Sequence, residues 1–454
     1  MDAAGSALTS ALLRTALITV LTVVGFLVLW YESPAHGAWR ARVHRWSQRV
    51  TGAPNLPWVR LSALVAVGAA AFALAASISW ALGIYACGPT GPSDLLTLYS
   101  SGQAFLHGGD PFTISACGRN GNPVPAGMAS VLLDALGSLA GPAGVLLVWG
   151  AVSSAILPLV WALSDTPRVT TVWVLASFLY LPVVALQVDG ASLALVPLSV
   201  LLTLYLARQD WVSAAGVGGF LATGRFPAVF PILGATGRAR HRRVLAFAVG
   251  LGLFAAVTAI SFAIYGNSFL GPVFLLQFRR GGFALNLWGL LEGTGWVVPS
   301  TPVTVVQAGL TLALVGSVWV WGRSSLGAVA IVLTGTVLLA QFLSFDELVF
   351  LLPVALMGTR ARWWLWGIGL VAISNYLLAF PSASPLPLSP VLTYGLDLLL
   401  TVLLLGLLYE LIRQELGKRQ APAERSGGPS AEEPRGKEGS GLRLDDPRVS
   451  PRGD

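Results

Sequence analysis

Carboxylates and guanidinium groups are scarce in this chain, so those lying between its long apolar runs are the first candidates for chemistry. Asp94 opens the polar stretch Ser93-Asp94-Leu-Leu-Thr-Leu-Tyr-Ser-Ser-Gly-Gln-Ala-Phe-Leu-His-Gly-Gly-Asp-Pro-Phe112. A carboxylate there has two possible roles. It can take a proton from an attacking hydroxyl, or it can cap a helix by accepting the N–H groups of the first turn. Arg225 sits in Thr223-Gly224-Arg225-Phe226-Pro227, inside an apolar segment. An arginine at membrane depth is costly, and its planar fork suits an anion with two oxygens. The alternative for Arg225 is a buried carboxylate partner such as Asp189. Arg279 and Arg280 form a second basic pair, readable as a phosphate site or as a solvated interfacial pair.

These residues must be positioned by helices. The chain has 454 residues, 55% hydrophobic and only 11% charged, against roughly 25% charged in a soluble domain. Apolar runs long enough to span a bilayer recur along it. The fold class is therefore all-α, a polytopic helical membrane protein. The net charge of +7 comes mostly from arginines in short loops; these set orientation and are no sign of nucleic-acid binding.

The apolar runs predict crossings at 12–30, 61–83, 142–163, 172–188, 191–207, 244–265, 303–322, 326–343, 348–358, 363–380 and 391–412. The first is read as a retained span, not a cleaved signal. The basic loop 32–60 belongs in the cytoplasm by the positive-inside rule, with the N-terminus outside and Asp94 on the extracytoplasmic face. Only 29 residues lie between Arg208 and Arg238, both read as cytoplasmic. Two spans need roughly 40 residues. The segment is therefore read as a re-entrant hairpin of half-helices 212–223 and 227–235, with Arg225 at its tip. This gives a bundle of about 11 spans plus the hairpin, covering 1–413, with outer loops 84–140 and 266–302 framing the site.

Within the first outer loop, Leu95, Leu98, Tyr99, Gly102, Phe105 and Leu106 share one helical face, and Gly108-Gly109 stops the helix. Residues 128–139 are weakly apolar and are expected to lie along the interface. Cys87 and Cys117 both fall in this loop, in an oxidising compartment, which predicts a disulfide; two buried free thiols are the alternative. Asp110, Asp134, Asp189, Glu292, Asp346 and Glu347 collect on the same outer side. Four histidines, three of them read as cytoplasmic, provide no metal site, and no GxxxxGK phosphate loop occurs. Residues 414–454 are rich in Gly, Pro, Ser and charge, and are expected to form a disordered cytoplasmic tail.

Asp94, Tyr99 and Phe105-Leu-His-Gly-Gly-Asp-Pro-Phe112 together resemble the first outer loop of the GT-C glycosyltransferases, in particular the polyprenol-phosphate-mannose-dependent mannosyltransferases. The later order is similar too: a short span pair, the half-helix Ala215-Gly-Val-Gly-Gly219, a basic residue near a proline, then a basic run ending at Arg243. The chain departs from the family at Asn122-Pro-Val-Pro125, Gln187-Val-Asp-Gly190 and Ser344-Phe-Asp-Glu347.

The resemblance implies a GT-C-like bundle in the plasma membrane. It implies inverting transfer of a hexose, mannose foremost, from a polyprenyl-phosphate-linked sugar to a glycan or glycolipid acceptor. Asp94 then matches the catalytic residue, and Arg225 stands near the family's basic residue before proline. Arg225, Arg279 and Arg280 would hold the donor phosphate. Asp110, Asp346 and Trp288 would serve the acceptor. Phosphate is a stable leaving group, so no cofactor is required and a divalent metal is optional. The competing readings are a lipid or polyol carrier or flippase using Asp397, Asp189 and Arg225, and an inactive relative with a scaffolding role.

Overall fold

The computed structural model describes residues 38, 42, positions scattered through 65–80, and 94–113, 115–116, 119–120, 127–163, 192–208, 210–225, 240–270, 287–293, 300–321, 325–340, 346–379 and 390–417. These are almost entirely helical. The exception is a small antiparallel hairpin of β1 (Ser115–Ala116) and β2 (Arg119–Asn120). Four helices are long and apolar enough to cross a membrane: Gly141–Leu163, Val244–Tyr265, Pro302–Trp321 and Tyr394–Gly417. This agrees with the membrane class read from composition. The calls for 12–30, 172–188, Cys87–Cys117 and the tail lie outside the described residues.

Helix α1 runs Asp94–Leu106, starting at the predicted acid. It ends at Gly108, whose φ of 72 only glycine adopts without strain. Leu95, Leu98 and Gly102 face inward as expected, but Leu106 does not: at the last turn it is exposed. Beyond the turn, Asp110 Oδ1 accepts the Phe112 N–H at 2.9 Å, and Phe112 lies edge-on against Tyr265 and Phe269. The loop is thereby docked on the end of another helix.

Helix α2, Met128–Ser138, packs between α1 and α3 (Gly141–Leu163). Its amphipathicity is inverted. Ser130, Asp134 and Ser138 are buried, whereas Leu132, Leu136 and Leu139 are exposed. Polar groups inside and leucines outside is the pattern of a helix in apolar surroundings. Gly102 and Gly137 permit the close packing. A Cβ on Gly102 would strike the Asp134 carbonyl, and one on Gly137 would strike the Val145 backbone.

A short 3-10 turn, Ser192–Ala194, leads into α4 (Leu195–Ala207). Arg208 donates to the Ala162 and Leu163 carbonyls at the end of α3, at 3.3 and 2.7 Å. Helices α3 and α4 therefore end together. Asp210 caps the next helix, α5 (Trp211–Ala222), accepting from Val212 N and Ser213 N at 3.1 and 3.0 Å. The Ser213 hydroxyl and these two N–H groups hold the exposed Asp210 carboxyl below its usual range.

The chain continues through α6 (Arg240–Tyr265), α7 (Asn267–Leu270), α8 (Leu287–Gly293), α9 (Ser300–Trp321) and α10 (Ser325–Leu339). A buried 3-10 segment, Asp346–Met357, follows, containing Pro353. Such runs rarely exceed one turn. The segment read as the short crossing 348–358 is thus a tight, non-α element packed on α10 and on α11 (Thr359–Ala379). Helix α12, Pro390–Gly417, closes the described chain. The main core joins α3, α4, α10, the 3-10 segment, α11 and α12. Only 17% of the α6 and α9 spans is buried, so these two present apolar faces outward, as lipid contact requires.

Candidate functional site

Helix α5 is 12 residues long, or about 18 Å at about 1.5 Å per residue. That is short of a hydrocarbon core of roughly 30 Å. It stops part-way, and Thr223, Gly224 and Arg225 beyond it are all buried. The helix bounds agree with the expected first half-helix, 212–223; the returning half, 227–235, lies outside the described residues.

The tip is held by backbone. Gly224 O accepts from Gly127 N at 2.8 Å and from the Ser130 hydroxyl at 3.2 Å. A Cβ on Gly127 would run into the Thr223 carbonyl, and one on Gly224 into Leu195. The Thr223 hydroxyl satisfies the Phe220 carbonyl at 2.6 Å. Irregular backbone at depth is tolerated only when its polar groups are met in this way.

Arg225, 8% exposed, donates through Nη2 to Ser192 Oγ at 3.0 Å. Its charge acts on Asp134, which is fully buried. Asp134 Oδ1 accepts the Trp149 indole N–H at 2.8 Å, while Oδ2 has no hydrogen-bond partner among the described residues. Burial pushes this carboxyl well above the usual carboxylate range; the Trp149 hydrogen bond and the Arg225 charge pull the other way. The sequence grouped Asp134 with the acids of the outer face. The structure buries it instead, and among the described residues it is an acid on which the charge of Arg225 acts; Asp189 lies outside the described residues.

Asp94 occupies the first position of α1, and its side chain lies outside the described residues. Helices α1 and α2 are antiparallel: the Ser138 hydroxyl donates to Tyr99 O, Gln103 donates to Ser138 O, and Phe105 packs in the cluster holding Met128 and Val131. Asp94 is therefore at the Ser138 end of the pair and the Arg225 loop at the Gly127 end. The helix rise makes that separation roughly 20 Å along the axis. Asp94 and Arg225 share a supporting helix but do not touch.

Asp110 is spent on its own turn, although its charge also reaches the Tyr265 hydroxyl. The Trp288 indole donates to Leu339 O at 2.8 Å, fastening α8 to the end of α10. Asp346 begins the 3-10 segment, its side chain undescribed; Arg279 and Arg280 lie outside the described residues. Among the described residues no three His, Cys, Asp or Glu side chains group as metal ligands. Sequence reasoning missed Asp134, Trp149 and Ser192 as a set. Asp134 did carry a signal: it is the lone acid in an otherwise apolar and small-residue helix.

Fold and site together define a helical membrane protein with a buried arginine just past the end of a short helix, its charge acting on a buried acid. No protein-family model matches the chain, and no curated protein sequence matches it.

Proposed function

We propose that the protein is an integral membrane hexosyltransferase that takes its sugar from a polyprenyl-phosphate donor, with inversion, in a GT-C-like bundle. The observation that carries the reading is Arg225. It is a guanidinium kept at depth by Ser192, on a loop docked to the same helix pair that Asp94 opens. The positive end of helix α2 adjoins that loop, adding to the attraction for an anion. Arg225 supplies charge to the departing phosphate, and Asp94 takes the proton of the attacking hydroxyl.

The separation of the two residues sets the arrangement of the substrates. Guanidinium, phosphate, anomeric carbon, attacking oxygen and carboxylate in line span roughly 12 Å at hydrogen-bond and near-attack spacings. The length of the Arg225 side chain, held at Ser192, covers part of the remainder. Donor and acceptor thus lie end to end alongside α2. Arg279 and Arg280 are further phosphate ligands of this reading, and Asp110, Asp346 and Trp288 remain its acceptor residues. The extracytoplasmic siting and the Cys87–Cys117 bridge belong to the same proposal.

The test is sugar transfer by the full chain in lipid nanodiscs with polyprenyl-phosphate-linked hexoses. Asp94→Asn should lower kcat about 100-fold or more at unchanged expression, and retained activity removes Asp94 from the mechanism. Arg225→Ala should raise the donor KM about tenfold or more, the loss of a charge-assisted pair, while sparing the acceptor KM. If the chain instead moves the lipid between leaflets without transfer, the carrier reading replaces this one.

A further inference from the structure

Asp134 has no part in the transfer chemistry above, yet it is the most enclosed ionisable group described. It sits on α2, packed on by α1, α3, α5 and α6. Helix α3 brings Trp149 and no charged residue. Helix α1 brings Asp94 at its first position, Tyr99 and, beyond its end, Asp110 and an exposed His107; α6 brings Tyr265 at one end and Arg240-His-Arg-Arg243 at the other; α5 brings the tip that carries Arg225. Asp210 caps the far end of α5, about 18 Å away by helix rise. Ser130, one helical turn before Asp134, donates to the Gly224 carbonyl, which sets this stretch of α2 against the loop of Arg225, and among the described residues Arg225 is the cation acting on Asp134. One carboxyl oxygen is fixed by the indole, and the other is open.

We infer that Asp134 is the positioning residue of Arg225 and exchanges a proton with solvent as that arginine engages or releases an anionic phosphate ligand. The inference deepens the proposed function and rests on its assignment of Arg225 to the donor phosphate. With the site empty, the guanidinium charge favours the Asp134 carboxylate. A phosphate on Arg225 offsets that charge. The buried carboxylate then loses its stabilisation and binds a proton on Oδ2, where no hydrogen bond has to be broken. Release of the phosphate reverses the step.

The sign follows from linkage: a ligand that raises a group's proton affinity is bound with net proton uptake in the pH interval between the free and bound values. The hydrogen bond from Trp149 lowers both values, so its removal should move the interval to higher pH.

The experiment is titration calorimetry of the full chain in detergent, with farnesyl phosphate and with inorganic phosphate. It is run in buffers of different ionisation heat across the pH range where carboxyl and phosphate groups titrate. The wild type should take up more protons per bound farnesyl phosphate than Asp134→Asn, by as much as one at the maximum. The ligand's own titration is common to both proteins and cancels. Trp149→Phe keeps the acid and should move the uptake maximum to higher pH, so the inference stays testable if Asp134→Asn fails to fold.

Binding with the same proton count in wild type and Asp134→Asn, or a Trp149→Phe profile that superimposes on the wild type, overturns the role of Asp134 while leaving the phosphate site standing. No binding of farnesyl phosphate, or binding that Arg225→Ala does not weaken, overturns the phosphate assignment and this inference with it. Equal uptake with inorganic phosphate identifies the headgroup as sufficient; uptake only with farnesyl phosphate makes the lipid chain part of recognition.

Discussion

Two acid–arginine groupings stand in different parts of the molecule, and they show how environment changes what such a grouping costs. Glu410 on α12 lies 3.5 Å from Arg360 of α11 and 3.8 Å from Arg413, with Gln414 donating to it at 3.2 Å. The two arginine side chains are 68% and 62% exposed, against 11% for Glu410. Both carboxylate oxygens are engaged and solvent screens the pairs, so the cluster ties two helix ends together at little cost or gain. Asp134 is fully buried, held through one oxygen, and close to an arginine on a loop that ends a half-helix. A charge in that setting is expensive unless it is answered. The same residue types form a tie at one site and a responsive pair at the other.

The sharpest way to break the comparison is to remove one partner from the buried pair. Asp134→Leu should cost about 3–5 kcal/mol, because it removes a buried acid that answers part of the Arg225 charge and takes the acceptor from the Trp149 indole. Adding Arg225→Met should recover most of that loss, since an apolar pair of similar volume carries no unanswered charge. Thermal unfolding in detergent checks both. Equal losses for the single and the double variant would mean the two residues do not act as a pair.

Next in size is the docking of the tip. Gly127→Ala places a methyl against the Thr223 carbonyl and should cost about 1–3 kcal/mol by overpacking. Gly216→Ala meets nothing within reach and should be close to neutral in the same melt. If Gly127→Ala is equally neutral, the tip is not seated on α2. The smallest effect is expected at the exposed cluster. Glu410→Gln should change stability by less than about 1 kcal/mol, and a loss as large as that of Asp134→Leu would erase the distinction between the two groupings.

Much of this was legible along the chain. Helix α1 begins at Asp94 because the polar Ser93-Asp94 precedes a helix-period run, and it stops where two glycines follow. The helix Trp211–Ala222 falls where counting residues between basic loops put the first half-helix, 212–223; the returning half, 227–235, lies outside the described residues. Leu106 was misplaced because periodicity assumes that the whole face is covered, whereas at the last turn of α1 Phe105 is packed and Leu106 beside it is exposed. The tight 3-10 form of Asp346–Met357 was not legible either. An apolar run has the same composition whether it winds at 3.0 or 3.6 residues per turn.

The amino-acid sequence alone determined that the chain is helical and built for an apolar solvent, where its longer helices begin and end, and that Arg225 sits on an interrupted segment. Those properties depend on neighbours a few residues away: hydrophobic runs, capping groups, glycines and prolines. Only the tertiary structure decided that the charge of Arg225 acts on Asp134. Asp134 comes from a helix far away in sequence, and it is brought to the tip because glycines at 102, 127, 137 and 224 let backbones approach closely. A contact made by such packing depends on the shapes of several helices at once, and no local pattern encodes it.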